Sequence, residues 1–394
     1  MRTRAIAPTL VVVGALLVAA CQTAQPTASP GTGTPTAGPT GQPTATGGTQ
    51  PTATGAQQTA TGSQPTATTG TGTPVPGGSI LQAVQNRGTV ICGVNSNLPG
   101  FGYPEEGTGR WLGFDADFCR VVAAAVFGDP EKVEFRPLDA DSRGPALQTR
   151  EIDVLIRNTT WTLSRDTEWG VFAPTTFYDG QGMMVPADSG VTDLAGLAGA
   201  TICVQSGTTT ELTLPDQMRA LNVQYTQDTR GTIDETYATY DAGDCDAVTS
   251  DRSQLVARRT LFQNPNDHVL LDVVMSKEPL GPVVPFGDER WFNVVKWATY
   301  ATMQAEEVGI DSTNVTSMRD TSTDPVVRRL LGVEGGLGAK LGLSDDWVVN
   351  IITGVGNYAE MYNEHLGPGT PFDLERGPNE LWTNGGLLYP PAWR

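Results

Sequence analysis

Two stretches of this chain alternate short apolar runs with amphipathic segments, and this alternation limits the fold more than any other feature of the sequence. The first stretch spans residues 89–156. It reads strand, helix, strand, helix, strand, with predicted bounds of 89–94, 114–126, 132–138, 143–150 and 152–156. A β-α-β-α-β order is the signature of a parallel sheet with helices packed on it.

The same pattern returns over about residues 190–272. Strands are predicted at 200–205, 246–249 and 269–274, and helices at 208–221, 233–241 and 252–259. Two extended segments, 177–187 and 275–285, connect the units, and two connections between two lobes make a hinge. We therefore expect a two-lobed α/β fold. Three further helices, predicted at 291–308, 325–331 and 344–366, should pack on the first lobe, to which the second connection returns.

The first 77 residues differ from the rest in composition. Residues 1–21 combine two arginines, an apolar run from Leu10 to Ala20 and a small-residue end, as secretory signals do. The run is too short for a bilayer span, which needs about 20 residues. Its end, Val-Ala-Ala followed by Cys21, resembles the bacterial lipobox and predicts lipidation of Cys21. The alternative is an ordinary signal peptide with an incidental cysteine.

Residues 22–77 contain no charged side chain and consist almost entirely of Thr, Pro, Gly, Ala, Gln and Ser. Such a segment cannot bury enough apolar surface to offset its ordering entropy, so we predict a flexible tether with a span on the order of 40 Å. The predicted organisation is a signal at 1–21, a tether at 22–77, the first part of lobe 1 at 78–184, lobe 2 at 185–276, and a return to lobe 1 with C-terminal helices at 277–394.

The charge excludes several classes of function. The formal net charge is −18, and an acidic surface argues against binding to nucleic acid or to anionic lipid. The chain has only two histidines, His268 and His365, and no C-x-x-C spacing. We therefore expect no metal and no cofactor.

Four cysteines remain when Cys21 is set aside. An even number in an exported chain suggests two disulfides, for which three pairings exist. Pairing Cys92 with Cys119 and Cys203 with Cys245 keeps each bridge within one predicted lobe. The alternative is four buried free thiols.

Polar loops follow three of the predicted strands, at the edge where open α/β sheets bind ligands. They combine hydroxyl groups, guanidinium groups and a carboxylate, in the segments Arg157–Asp166, Ser206–Glu211 and Ser250–Asp251.

Several motifs occur here in the order found in one family. They are GFDADFCRVVAAAVFGD, IDVLIRNTTWTLSRDT, FYDGQGMMV, CVQSGTTTEL, YDAGDCDAVTSD, MSKEPLGPVV and DWVVNIITGVGNYAEMYN. Residues 78–394 thereby resemble the solute-binding proteins of polar amino-acid ABC transporters, in the branch of general L-amino-acid-binding proteins. The resemblance implies the type II periplasmic binding protein fold.

In lobe 1 the resemblance implies that Arg165 grips the α-carboxylate of an amino acid, as a planar guanidinium does with two parallel hydrogen bonds. Thr160 would cap the same carboxylate, with Asn158 nearby. The alternatives are a surface Arg165 paired with Asp166 and a Thr160 that caps a helix.

In lobe 2 the resemblance implies that Thr208 and Thr209 bind the carboxylate at a helix N-terminus. It assigns the α-ammonium group to Asp251, since a buried charge needs a partner. For all three residues the alternative is helix capping alone.

The side-chain pocket departs from the relatives that bind basic amino acids. Those relatives have an aspartate and an aromatic residue where this chain has Asn95 and Leu98, and a serine where it has Arg157. We therefore hypothesise a preference for Glu, Asp, Gln or Asn. The alternative is that Arg157 pairs within the protein, with Asp179 or Asp251, and that the pocket is broad. Three aromatic residues either wall the pocket or pack in the core, namely Phe101, Trp161 and Tyr178.

The resemblance thus implies a monomeric, lipid-anchored receptor outside the cytoplasm that captures an L-amino acid, closes about its hinge and delivers the ligand to an ABC permease. It implies no enzymatic activity. Two alternatives are a dehydratase-like enzyme of the same fold, which needs a general acid or base in the cleft, and a sensor subunit that signals through a partner.

Overall fold

The computed structural model describes residues 79–394, so the predicted signal, lipidation site and tether lie outside the described residues. The helices are α1 Ile80–Arg87, α2 Phe114–Phe127, α3 Arg143–Gln148, α4 Leu163–Glu168, α5 Thr209–Ala220, α6 Ile233–Asp241, α7 Arg252–Arg259, α8 Glu289–Glu307, α9 Val315–Thr321, α10 Pro325–Leu330, α11 Leu337–Leu341, α12 Trp347–Gly354 and α13 Tyr358–His365. The strands are β1 Val90–Val94, β2 Tyr103–Pro104, β3 Trp111–Leu112, β4 Val133–Pro137, β5 Val154–Leu155, β6 Val171–Phe172, β7 Phe177–Asp179, β8 Gln181–Pro186, β9 Thr201–Gln205, β10 Thr226–Arg230, β11 Ala247–Asp251, β12 His268–Leu270, β13 Glu278–Leu280 and β14 Val283–Val284.

The first lobe is built on a sheet with the strand order β4-β1-β5-β14-β6. Strand β1 pairs in parallel with β4 and β5, whereas β14 runs antiparallel to β5 and β6. The side chains of Val90, Val94 and Val154 are fully buried because helices cover the sheet. The parallel core was predicted, and the antiparallel strand β14 is added by the chain when it returns from the second lobe.

The second lobe repeats this plan with the order β10-β9-β11-β8-β12. Strands β10, β9 and β11 are parallel, and β8 and β12 complete the sheet in antiparallel pairings. Met183 and Val185 of β8 are fully buried in the core of this lobe. The second sheet therefore begins at Gln181, and the expected lobe boundary between residues 184 and 185 falls inside β8.

A two-stranded antiparallel ribbon, β7 with β13, joins the lobes at the two predicted connections. Its register places Glu278 opposite Asp179 and Leu280 opposite Phe177. The fold is thus the two-lobed type II periplasmic binding protein fold that the sequence predicts.

The C-terminal helices pack against helix α2 of the first lobe. Helices α8 and α12 both contact α2, and Trp291 of α8 donates its indole N–H to the carbonyl of Asp153 at 2.8 Å. Among residues 79–394 no helix combines the length and apolar character that a membrane crossing requires.

The single helix predicted at 344–366 is wrong, because the structure has two helices there, α12 and α13. Gly356 adopts φ +108° between them, a conformation that interrupts a right-handed helix. Asn357 then starts α13 with a capping box, in which its side chain and that of Glu360 each accept a backbone N–H. The apolar spacing continues through the break, which is why periodicity alone missed it.

Both local disulfides are present. Cys92 bonds to Cys119, which ties β1 to α2, and Cys203 bonds to Cys245, which ties β9 to the turn before β11. The Cα atoms lie 6.0 and 5.8 Å apart. Closing loops of this size stabilises a protein by about 3–4 kcal/mol per bridge in the chain-entropy model.

Candidate ligand-binding site

A narrow, partly open cavity of about 20 Å³ lies where β5, β9 and β11 end. Its lining is almost entirely polar, and it is drawn from both lobes. The lining residues are Arg143, Arg157, Asn158, Thr160, Gln205, Thr208, Thr209, Thr210, Ser250, Asp251 and Gln254. The loops that the sequence singled out therefore meet, because the carboxyl ends of both sheets face each other across the hinge.

The N-terminus of helix α5 forms one side of this cavity. Thr208 is the N-cap, since its hydroxyl accepts the N–H of Glu211 at 3.1 Å. The Thr209 hydroxyl does not cap the helix. It donates to Glu278 at 2.8 Å and lies 3.3 Å from the hydroxyl of Thr160 in the other lobe. Unpaired backbone N–H groups and hydroxyl groups at a helix N-terminus suit an anion.

Asp251 ends β11 and is 6% exposed. It precedes helix α7, but its side chain makes no capping hydrogen bond there. Burial raises the pKa of Asp251 well above its usual range, and the carboxylates of Asp179 and Glu278 raise it further. A buried carboxylate beside two others has a strong demand for a cation.

Arg165 is buried but is not among the residues that line the cavity. Its guanidinium donates to the carbonyl of Thr160 at 3.1 Å and to the carbonyl of Gly207 at 3.3 Å, and it lies 4.8 Å from the ring centre of Trp169. Asp166 accepts the N–H of Phe172 instead of pairing with Arg165. Arg165 thus joins the loop after β5 to the loop after β9.

Gly207 allows this close approach of the lobes. It has φ +70°, and a Cβ atom there would lie 2.0 Å from a carboxylate oxygen of Asp141. Its neighbour Ser206 donates to Asp141 at 2.8 Å. A side chain at position 207 would therefore displace the side chain of Asp141, and the positive φ disfavours any residue other than glycine there.

A second set of contacts closes the cleft at its rim. Asn97 of lobe 1 donates its side-chain amide to Asp234 of lobe 2 at 2.9 Å. Arg258 of lobe 2 donates to the carbonyl of Asn97 at 2.8 Å and pairs with Asp234, also at 2.8 Å. We call Asn97, Asp234 and Arg258 the rim contact.

Arg157 lines the cavity, but its side chain is also hydrogen-bonded to the protein itself. Its Nε donates to the carbonyl of Leu138 at 2.7 Å. Burial lowers the pKa of Arg157 to about 10, and the carboxylates of Asp139 and Asp115 oppose that shift most strongly. The charge of Arg157 is thus supported chiefly by Asp139 and Asp115, whereas Asp251 has a smaller effect.

Asn158 holds its loop in shape. It adopts φ +30°, its N–H donates to Asp115 at 2.7 Å, and its side-chain amide donates to Gln254 of lobe 2 at 3.1 Å. Asn95 donates to the amide oxygen of Asn158 at 3.3 Å and does not line the cavity. Asn95 therefore orients Asn158.

The three candidate aromatic residues lie away from this cavity. Phe101 is fully buried and packs edge-on against Phe177, with ring centres 5.2 Å apart. Trp161 stacks on Phe172 and is 43% exposed, and Tyr178 lies on β7. Core and surface packing account for these rings.

Three functional candidates were not found from sequence. Arg143 starts helix α3, Gln205 is the last residue of β9, and Glu278 starts β13 in the hinge. Gln205 stands at a strand end, so the strand-end rule should have included it. Arg143 and Glu278 carry no local signal, because only the tertiary fold brings them to the cleft.

Comparison with known proteins agrees with this geometry. Residues 90–309 match the family described as bacterial extracellular solute-binding proteins, family 3. This chain belongs to that family. Family 3 membership accounts for the two lobes, the hinge ribbon and the cleft.

Family 3 relatives resemble the chain over most of their length. The general L-amino acid-binding periplasmic protein AapJ of Rhizobium johnstonii is 49% identical over 317 residues, covering 80% of this chain and 92% of that protein. The glutamate/glutamine/aspartate/asparagine-binding protein BztA of Rhodobacter capsulatus is 45% identical, covering 80% of this chain and 94% of its own length.

A solved structure matches equally broadly. It is an ABC transporter/periplasmic binding protein from Brucella ovis with glutathione bound. It is 48% identical, has a TM-score of 0.78, and covers 80% of this chain and 99% of its own.

Proposed function

We propose that this chain is an extracytoplasmic receptor that captures free L-amino acids and delivers them to the permease of an ABC transporter. The observation that carries the proposal is the cavity at the N-terminus of α5, with Asp251 buried in its wall. An amino acid brings an anion and a cation held a fixed distance apart, and the cavity offers complementary groups for both.

The α-carboxylate is assigned to the α5 side of the cavity. Thr160 and Thr209 approach it from the two lobes, and the guanidinium of Arg165 lies behind Thr160. Asn158 holds the lobe 1 loop in place. Closure is therefore favoured when a single anion bridges hydroxyl and N–H donors of both lobes.

The α-ammonium group is assigned to Asp251. An ammonium offers three donors and one positive charge, which offsets repulsion among Asp251, Asp179 and Glu278. The hydrogen bond from Thr209 to Glu278 links both halves of this zwitterion site.

The same site favours a ligand-binding role over a catalytic one. A dehydratase needs a group that exchanges protons with the substrate, and Glu278 is the added carboxylate near the cleft. Both of its oxygens accept hydroxyl hydrogen bonds, from Ser276 and from Thr209, so the carboxyl group is engaged with the protein itself. The names of the family 3 relatives describe binding proteins.

Anchoring is proposed from the sequence. Cys21 becomes the lipidated N-terminus of a monomer, and residues 22–77 tether the binding lobes to the membrane. A polypeptide without charge or apolar runs lets the receptor turn freely toward its permease.

The test is a ligand panel on residues 22–394, which leave out the proposed signal and the lipidated Cys21. Melting temperature is measured with each of the 20 L-amino acids, their D-isomers, small dicarboxylates and glutathione. A ligand at 100 times its dissociation constant adds about 2.7 kcal/mol to the free energy of unfolding. We expect shifts with several polar L-amino acids and none with D-isomers. If no amino acid shifts the melting temperature, the proposed receptor function is contradicted, and an enzymatic or signalling role becomes the better hypothesis.

A further inference from the structure

A second, larger cavity of about 640 Å³ lies beside the hinge ribbon. It shares no lining residue with the ligand cavity described above. Its walls come from the ribbon β7–β13, from lobe 2 between Arg252 and Val274, and from a C-terminal segment, residues 374–387. We call this space the hinge gap.

The ribbon separates the hinge gap from the cleft. On the β13 side, Glu278 accepts the hydroxyl hydrogen bond of Thr209, which lines the ligand cavity. On the β7 side, the backbone of Tyr178 exchanges two hydrogen bonds with the side chain of Asn379, at 2.6 and 3.1 Å. Strand β13 therefore borders the cleft, whereas β7 borders the C-terminal segment.

The C-terminal segment is fixed to lobe 1. Arg376 pairs with Glu306 of helix α8 at 2.6 Å, and it donates to the carbonyl of Asn379 at 2.9 Å. Tyr362 of α13 donates its hydroxyl to the carbonyl of Glu375 at 3.1 Å. Because α8 and α13 both contact α2 of lobe 1, a rotation of lobe 2 about the ribbon changes the distance between the two walls of the gap.

The facing walls of the hinge gap are apolar and exposed. Val274 on the lobe 2 wall is 69% exposed, and Leu387 on the C-terminal segment is 55% exposed. Three more apolar side chains that line the gap are partly exposed, namely Val256, Leu270 and Leu374. Removing such aliphatic surface from water is favourable, so the two walls would stabilise any form in which they meet.

We infer that the hinge gap closes when the cleft opens, and that its two apolar walls then pack together and stabilise the open form. Because the ribbon lies between the two spaces, a rotation of lobe 2 that widens the cleft narrows the gap. The consequences for ligand binding rest on the proposed function. The exposed side chains of Val274 and Leu387 thus have a partner in the same chain, which is the opposite wall in the open form.

This arrangement sets the affinity of the receptor from outside the ligand site. The apparent dissociation constant is the intrinsic constant of the closed form divided by the fraction of protein in that form. A polar substitution in the gap leaves the ligand site untouched and destabilises only the open form. Such a substitution should therefore tighten binding, a direction that damage to the fold does not produce.

The test places a charge in each wall in turn, in the variants Val274→Asp and Leu387→Asp. Dissociation constants are measured by calorimetry on residues 22–394 for L-glutamate and L-norvaline, whose side chains have similar length but differ in charge. We expect each variant to bind both ligands more tightly by the same factor, about 5-fold or more, because a charge is costly to bury when the walls meet. Stopped-flow measurements should show slower dissociation of both ligands.

Hydrogen–deuterium exchange of the ligand-free protein is a readout that needs no ligand. The cleft loops, residues 157–162 and 206–210, should exchange more slowly in both variants than in the wild type, because the closed form is more populated. Leu221→Asp is the matched control, since Leu221 lies in lobe 2, is 50% exposed and does not line the gap. It should change neither the exchange rates nor the affinities.

The outcomes separate this inference from the proposed function. Unchanged or weaker binding in either gap variant, or tighter binding of only one ligand, overturns the role of the hinge gap and leaves the receptor intact. A wild-type protein that binds no L-amino acid overturns the proposed function, and the exchange rates of the cleft loops then decide whether the gap stabilises the open form.

Discussion

The hydroxyl oxygens of Thr160 and Thr209 lie 3.3 Å apart, although the two residues belong to different lobes. Each follows a strand of its own sheet, so their contact reports how far the cleft has closed. Thr209 also donates to Glu278 of the hinge ribbon. One hydroxyl group thus connects both lobes and the hinge.

Removing the Thr209 hydroxyl should weaken the binding of every amino acid to a similar extent. Thr209→Val keeps the shape and removes the donor, and the loss of one hydrogen bond to a charged group corresponds to about 10-fold in affinity. Calorimetry with glutamate and norvaline is the measurement. Thr226→Val, at an exposed position of β10, is the matched control. An unchanged affinity in Thr209→Val would remove Thr209 from the site.

Asp251→Asn should separate ligand binding from stability. Loss of a buried charge partner should weaken amino-acid binding about 100-fold or more. The ligand-free protein should melt no lower at pH 7.5, because burial and the neighbouring Asp179 and Glu278 disfavour a charged Asp251. Thermal melting and calorimetry together test this. A marked drop in the ligand-free melting temperature would assign Asp251 a structural role.

Asp115 should make stability depend on pH. Burial raises the pKa of Asp115 to about 7, against the N–H of Asn158 and the charge of Arg157, which lower it. The folded protein therefore binds more protons than the unfolded chain between about pH 4 and 7, so stability falls as pH rises through that range. One group contributes a slope of at most roughly 1.4 kcal/mol per pH unit.

The variant Asp115→Asn isolates this effect. Its side-chain oxygen can still accept the N–H of Asn158, but it does not titrate. Denaturant unfolding of the ligand-free protein from pH 4 to 8 should show a shallower decline than the wild type. Asp216→Asn, at a surface position, should follow the wild type. A variant with the wild-type slope would show that Asp115 is charged throughout.

The rim contact should stabilise the closed form without selecting ligands. Asp234→Ala removes the acceptor for Asn97 and the partner of Arg258. We expect affinities for all amino acids to fall by the same factor, about 2- to 5-fold, mainly through faster dissociation. Stopped-flow dissociation rates measure this, with Asp216→Ala as control. A loss confined to one ligand would contradict a purely conformational role.

Cys21→Ser should release the protein from the membrane. Growth with a labelled fatty acid followed by fractionation is the measurement, with Cys92→Ser as a control that leaves the anchor untouched. The wild type should carry label and sediment with membranes, and Cys21→Ser should do neither. A soluble, unlabelled wild type would identify residues 1–21 as an ordinary signal.

Local signals predicted much of the fold. Helices α6 and α7 have the predicted bounds, because the apolar spacing is encoded within each segment, and α6 also begins with a capping box. Strand β10, Thr226–Arg230, was missed, since an edge strand that faces solvent has no apolar run. The break at Gly356 was missed for the opposite reason, because the apolar spacing on both sides is continuous.

The candidate site was predictable only in part. The strand-end rule placed Thr160, Thr209 and Asp251 at one cavity, since topology alone brings strand ends together. Arg143 enters from the start of a helix and Glu278 from the hinge ribbon. Their approach depends on how the lobes close, which no short segment encodes.

The two disulfides have a consequence for motion as well as for durability. Cys92 and Cys119 both precede the ribbon β7–β13, and Cys203 and Cys245 both lie between its strands in sequence. Neither bond spans the hinge. Disulfide formation outside the cytoplasm thus stabilises each lobe separately and leaves rotation of the lobes about the hinge unrestricted. The receptor therefore resists unfolding and still opens quickly.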